Sequence, residues 1–235
     1  MAEARDRLIV ALDFADVAEA RAFVARAGAS ITFYKVGLEL VLAGGGLDLV
    51  RDLKDRGKRA FLDMKLLDIP NTVEKACRSA ARTGADFLTI HAVDTKTCAA
   101  AAAGAAGSSL KILGVTVLTS LDQSDLGEQG ISAQPQDMVV TRAKLAQAAG
   151  CHGVVASGQE ASAVRQATGE GFAIVTPGIR LPSDAVGDQA RVATPQSAIA
   201  DGASYLVVGR PITQASDPKA AADAFAAAIA GAANI

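Results

Sequence analysis

Tryptophan is absent from this 235-residue chain, aromatic residues make up 4%, and there are three cysteines. An odd cysteine count with no C-x-x-C pair gives neither a disulfide framework nor a zinc or thioredoxin-type motif, so Cys77, Cys98 and Cys151 read as buried thiols in a reducing cytoplasm. Charge of one sign is not in excess either. With Lys+Arg 23 against Asp+Glu 25 and a net charge of −2, no basic face is available for nucleic acid. Nothing approaches the run of about 18 apolar residues that a membrane span needs. The apolar run before Asp13 is too short for a secretory signal. Half of the residues are nonetheless hydrophobic, enough to close a large core and to exclude disorder.

What is present is an alternation of short β-rich runs with longer helical patterns. The runs are Arg7–Asp13, Ile31–Gly37, Arg59–Lys65, Asp86–Val93, Leu110–Leu118, Cys151–Ala156, Phe172–Thr176 and Ala203–Val208, each followed by a stretch that suits a helix. After the third, Val73, Ala76, Cys77, Ala80 and Ala81 recur on one helical face, with Pro70 near its start and Gly84 at its end. The segment Asp217–Ala230 reads as a closing helix. Eight strand–helix units predict an α/β fold, a (β/α)8 TIM barrel forming a single domain over residues 1–235. The alternative, a doubly wound sheet, lacks its G-x-G-x-x-G turn after the first strand. Gly44–Gly46 marks a break in the helix after the second strand.

One connection is out of proportion. Thr176–Pro195 is polar, proline-marked and far longer than the usual two to six or so residues. It reads as a lid over the C-terminal face of the barrel, with Arg180, Gln189 and Arg191 able to meet an anion.

Ionisable residues gather at strand ends. In RAFLDMKLLDIPNT (59–72), Asp63 and Lys65 are two apart, so strand alternation sends both to one side, and Asp68 follows on the turn. Charges beside an apolar run are either a structural ion pair or a site. Asp13 ends the first strand and Lys35 stands near the end of the second. Asp13, Lys35, Asp63 and Lys65 would then form an alternating array that keeps each carboxylate ionised and each amine protonated. Farther on, Gly209 and Arg210 lead from the last strand into a helix start, the place where this fold binds phosphate. His91 borders the mouth or is structural. His152 reads as structural, and Glu39 as a solvated helix residue.

These motifs resemble, in order and over nearly the whole chain, the orotidine 5′-monophosphate decarboxylases of the shorter bacterial type. The matching segments are ALDF (11–14), YKVG (34–37), LDMKLLDIPNT (62–72), VTVLTS (115–120), TPGIR (176–180), GDQARVATP (187–195) and VVGRPIT (207–213). The resemblance implies loss of carbon dioxide from orotidine 5′-monophosphate to give UMP, with no metal or organic cofactor. It implies Lys65 as the catalytic lysine flanked by Asp63 and Asp68. Asp68 and Thr72 would reach the neighbouring subunit's site, so a homodimer with shared sites is expected. Asp13 and Lys35 would meet the ribose and Thr119 the pyrimidine, while Arg180, Gln189, Gly209 and Arg210 would form the lid and phosphate positions. Two rivals stand beside it. A magnesium-dependent sugar-phosphate decarboxylase or synthase of the same barrel group would need a glutamate on the second strand, where Lys35 stands. A non-catalytic phosphate-ligand barrel would have no use for a lysine between two aspartates.

Overall fold

The computed structural model describes residues 2–182 and 193–232. Eight parallel strands close into a barrel in sequence order: β1 (Leu8–Ala11), β2 (Phe33–Gly37), β3 (Arg59–Leu66), β4 (Phe87–His91), β5 (Lys111–Val115), β6 (Gly153–Val155), β7 (Ala173–Thr176) and β8 (Tyr205–Val208), with β8 paired to β1. The strands are shorter than the sequence runs at most ends. Apolar residues continue past the hydrogen-bonded ladder into the loops, so Asp13 lies two residues beyond β1, and Val117, Leu118 and Thr119 lie beyond β5.

Helices follow every strand and form the outer layer. The helix Pro70–Ala81 begins with proline, whose missing N–H is not needed there, and buries Val73, Cys77 and Ala80. Its predicted face is therefore the packed one, with Ala76 and Ala81 half-buried at its edge. It packs against the helix Thr95–Ala105, where a Cβ on Gly104 would overlap the Glu74 carbonyl oxygen, so glycine permits that approach. After β2, the helices Leu38–Leu42 and Gly46–Asp55 are separated at Gly44 and Gly45, both left-handed at φ 89° and 86°. The closing helix spans Pro218–Ala232.

Two apolar layers result from strand alternation. Residues such as Val10, Tyr34, Leu62, Leu88 and Ile90 face the helices. Ile9, Phe33, Phe61, Phe87, Leu113, Val175 and Val207 fill the barrel itself. Phe87 is the hub of the inner layer, with ring centroids 5.2 Å from Phe33, 5.9 Å from Phe61 and 5.1 Å from Tyr205. The Arg59 guanidinium lies 4.0 Å from the Phe33 ring centroid and closes the N-terminal end of the barrel. Four of the nine aromatics in the chain, Phe33, Phe61, Phe87 and Tyr205, thus form a plug beneath the mouth.

Phe87→Ala should destabilise the fold by about 3–5 kcal/mol through the cavity it leaves. Thermal unfolding followed by circular dichroism should show Tm lowered by roughly 10 °C. An unchanged Tm would mean that this layer does not support the barrel.

Candidate active site

Each strand that contributes a phenylalanine to the plug carries a polar residue two positions later. Lys35 follows Phe33, Asp63 follows Phe61, and Thr89 follows Phe87, so one alternation phase builds both the dry floor and the polar layer above it. Above the floor is a cavity of about 410 Å³, within the range of small-molecule sites. Ala11, Phe61, Val115, Val117, Leu118, Val155, Pro177 and Val207 form its apolar lining. Asp13, Lys35, Asp63, Lys65, Thr119, Arg180, Gly209, Arg210 and Gln214 supply its polar groups.

The charged residues form the alternating chain expected from the sequence. Lys35 Nζ is 3.2 Å from Asp13 Oδ1 and 3.4 Å from Asp63 Oδ2, and Lys65 Nζ is 2.8 Å from the same Asp63 oxygen. The other Asp63 oxygen, Oδ1, accepts the Thr89 hydroxyl at 2.8 Å. Both oxygens of this buried carboxylate are therefore satisfied. Burial alone would raise its pKa, but Lys35 and Lys65, with hydrogen bonds from Lys65 and Thr89, hold it below the ordinary carboxylate value. For Lys35 burial works against the charge, and Asp63 and Asp13 outweigh it, so its pKa stands above the ordinary lysine value. Gly37 has a part here too: a Cβ on it would sit 3.3 Å from Lys35 Nζ and crowd the ammonium.

Simple alternation does not account for the meeting of Asp63 and Lys65. Between β3 and β4 the register runs Leu62↔Leu88 and then Leu66↔Ile90, so Asp63, Met64 and Lys65 all face the single residue Thr89. Lys65 sits in this bulge at φ 48°, the one non-glycine residue with positive φ among those described. Such a conformation costs about 1–3 kcal/mol and persists only when its surroundings enforce it. The bulge turns Lys65 back over Asp63. Strand alternation predicted the right neighbours for an incomplete reason.

The remaining residues divide. Pro177, Gly178 and Arg180, at the start of the long connection after β7, line the cavity; Arg180 is buried, and its backbone N–H donates to Ala193 O at 3.0 Å. Gln189 and Arg191 lie outside the described residues. Asp68 and Thr72 are exposed and do not line the cavity of their own chain; Asp68 Oδ1 accepts the Ile69 N–H at 2.6 Å. Exposed apolar side chains stand on the segments after β2, β3 and β4: Leu38, Leu42, Leu67, Ile69 and Val93, with Leu42 82% and Ile69 67% exposed.

A sequence model described as the orotidine 5'-phosphate decarboxylase / HUMPS family matches residues 6–225. The chain belongs to this family. Among its relatives, the orotidine 5'-phosphate decarboxylase of Rhodopseudomonas palustris (strain BisA53) is 53% identical over 230 residues, covering 98% of this chain and 97% of the relative. That of Afipia carboxidovorans is 54% identical over 226 residues, covering 96% and 95%. The crystal structure of orotidine 5'-phosphate decarboxylase from Lactobacillus acidophilus superposes with a TM-score of 0.84 at 37% identity, covering 94% of this chain and 98% of that one.

Within this family site, the sequence reading passed over Thr89 and Gln214. Thr89 shares the alternation phase of Phe87 and His91 on β4, a signal that could have brought it to notice. Gln214 follows the helix Arg210–Thr213 and carries no pattern of its own. His91 ends β4, half-buried and off the cavity wall; burial together with Lys65 and Arg142 pushes its pKa down against the pull of Asp63. His152 Nδ1 accepts the Ile112 N–H, a structural role. Glu39 is exposed on the helix Leu38–Leu42.

The lowered Asp63 pKa fixes the sign of a stability effect. Its contribution is present above the unfolded value near 4 and is lost as pH falls through the lower folded value. Asp63→Asn should therefore be less stable than the parent at pH 7, by about 2 kcal/mol once the partial exposure of Lys65 is allowed for. Denaturant titrations should show the gap closing as pH drops below about 4. A gap constant from pH 7 to pH 3 would contradict the coupling.

Proposed function

We propose that the chain converts orotidine 5′-monophosphate to UMP and carbon dioxide. The single observation that carries this reading is a lysine ammonium held against a buried carboxylate on the wall of a cavity that also contains Gly209, Arg210 and Arg180. Loss of carbon dioxide from C6 breaks the C6–carboxyl bond and leaves its electron pair in an sp² orbital in the ring plane, outside the π system. No delocalisation is available, so the pair must be stabilised by nearby charge. In a cavity floored by Phe61, Val115 and Val155, fixed charges act with little screening. The Lys65 ammonium is the cation for this role. It then transfers one proton to C6, giving the C6–H bond of UMP, and the neutral amine recovers a proton from water.

Asp63 keeps Lys65 in position, and Lys35 keeps Asp63 ionised. Asp13 and Lys35 are assigned to the ribose and Thr119 to the pyrimidine. Arg180, Gly209 and Arg210, with Gln189, are assigned to the phosphate and the lid. The phosphate lies far from the reacting carbon, so its binding energy would be spent in ordering the site around that carbon.

Asp68 and Thr72 complete the reading only in a homodimer. Both are exposed, as are Leu67 and Ile69 next to Asp68 in the chain, and burying this segment against a second copy would bring both into the partner's site. Cys77, Cys98 and Cys151 are all free, in keeping with a cytoplasmic protein. No helix among the described residues is long and apolar enough to cross a membrane.

The test is the fall in ultraviolet absorbance as orotidine 5′-monophosphate is consumed. Lys65→Ala should lose at least about a thousandfold in kcat and still bind UMP; substantial residual turnover would remove Lys65 from its role. Arg210→Ala should weaken UMP binding by about 10- to 100-fold while leaving uridine binding nearly unchanged, as calorimetry would register. An equal effect on both ligands would refute the phosphate assignment. Lys65→Ala and Asp68→Ala subunits, mixed after unfolding, should recover about a quarter of parental activity, since half the dimers are mixed and each of these holds one intact site. No recovery with mixed dimers demonstrated would mean that each site is built within one chain.

A further inference from the structure

The bulge that presents Lys65 is held from one side by a single hydroxyl. Thr89 is fully buried on β4 and faces Asp63, Met64 and Lys65 at once. Its hydroxyl donates to Asp63 Oδ1 at 2.8 Å and accepts the Lys65 backbone N–H at 2.9 Å. One atom thus ties together the carboxylate that pairs with the ammonium and the backbone from which the lysine side chain springs. In an unbulged strand that N–H would point toward β2, as the Arg59 N–H does to Thr32 O. Here the extra residues take it out of register, and a buried N–H without a partner is strongly disfavoured. The hydroxyl has a free choice of donor direction, so it fits a bulge where a carbonyl fixed in the ladder does not.

We infer that the Thr89 hydroxyl is a positioning group for the reaction, setting where the Lys65 ammonium stands relative to the substrate carbon that receives its proton. The inference rests on the decarboxylase reading above. Thr89 does not line the cavity and does not touch substrate; it acts through Asp63 and Lys65. Preorganised charge stabilises a transition state only when it is held in place, and a lysine at φ 48° has no intrinsic preference for the conformation that holds it. Removing the hydroxyl frees Asp63 Oδ1 and the Lys65 N–H together, so the bulge can relax and the ammonium drift. Ground-state binding of the nucleotide is made elsewhere on the cavity wall and is left intact.

The experiment compares the parent with Thr89→Val, Thr89→Ser and Thr89→Ala by steady-state kinetics on orotidine 5′-monophosphate and by thermal unfolding. Val keeps the shape without the hydroxyl, and Ser keeps the hydroxyl without the methyl. Thr89→Val should lose about 10- to 100-fold in kcat with KM within about threefold of the parent, and Thr89→Ser should stay within about threefold in both. Should Val fail to fold in this tight site, Thr89→Ala gives the same reading, with a kcat loss that Ser does not share. The inference is overturned if folded Val or Ala turns over like the parent, if the loss falls on KM instead, or if Ser is as impaired as Val. Failure of both hydroxyl-free variants to fold while Ser folds would also overturn it, because the hydroxyl would then serve the fold and not the reaction. A parent that does not consume the substrate at all would instead sink the decarboxylase reading on which it rests.

Discussion

The Asp63 carboxylate is the interaction on which the rest of the site depends. It sits at the top of a barrel floored by phenylalanines, where an unpaired charge would be expelled, and it is kept ionised by two ammonium groups and a hydroxyl. Each partner comes from a different structural decision: Lys35 from β2, Lys65 from the bulge in β3, and Thr89 from β4. Without the carboxylate, two lysines would face one another across a small cavity. With it, their charges become a fixed feature of the site, and the ring atom that loses carbon dioxide can be placed against one of them. The aromatic plug matters for the same reason, since it keeps the floor of the cavity apolar.

Much of this was legible in the sequence, and the reason is that the barrel repeats one rule. Alternation puts Phe33, Phe61 and Phe87 in the floor and Lys35 and Asp63 two residues above, and the sequence shows that pattern directly. The helix over 70–81 was readable from its proline start and its face through Val73, Cys77 and Ala80. Strand ends were not, because Val117 and Leu118 are as apolar as the strand before them and yet serve as cavity wall in a loop. The bulge was hidden because nothing in D-M-K marks a left-handed residue; lysine is an uncommon occupant of that region, and only the register against β4 reveals it. Thr89 was overlooked because an isolated threonine in a strand is ordinary until the atoms opposite it are known.

Rival chemistries are disfavoured by the same geometry. A divalent cation in this mouth would have to share Asp63 with two ammonium groups already within 3.4 Å, and Glu39, the nearest acidic residue after β2, is exposed on a helix. A barrel that only bound phosphate could do so with Gly209 and Arg210, and would gain nothing from a strained lysine below them. Asp68, Leu42 and Ile69 are all exposed, as the proposed sharing of sites between two copies requires.

The most direct measurement of the central claim is a crystal structure of the protein with UMP bound. The account predicts Lys65 Nζ in contact with C6 of the pyrimidine and with Asp63, the phosphate against Gly209 and Arg210, and Asp68 of a second copy beside the same ammonium. A Lys65 side chain turned to bulk solvent, or a nucleotide whose phosphate occupies a different part of the barrel, would contradict it.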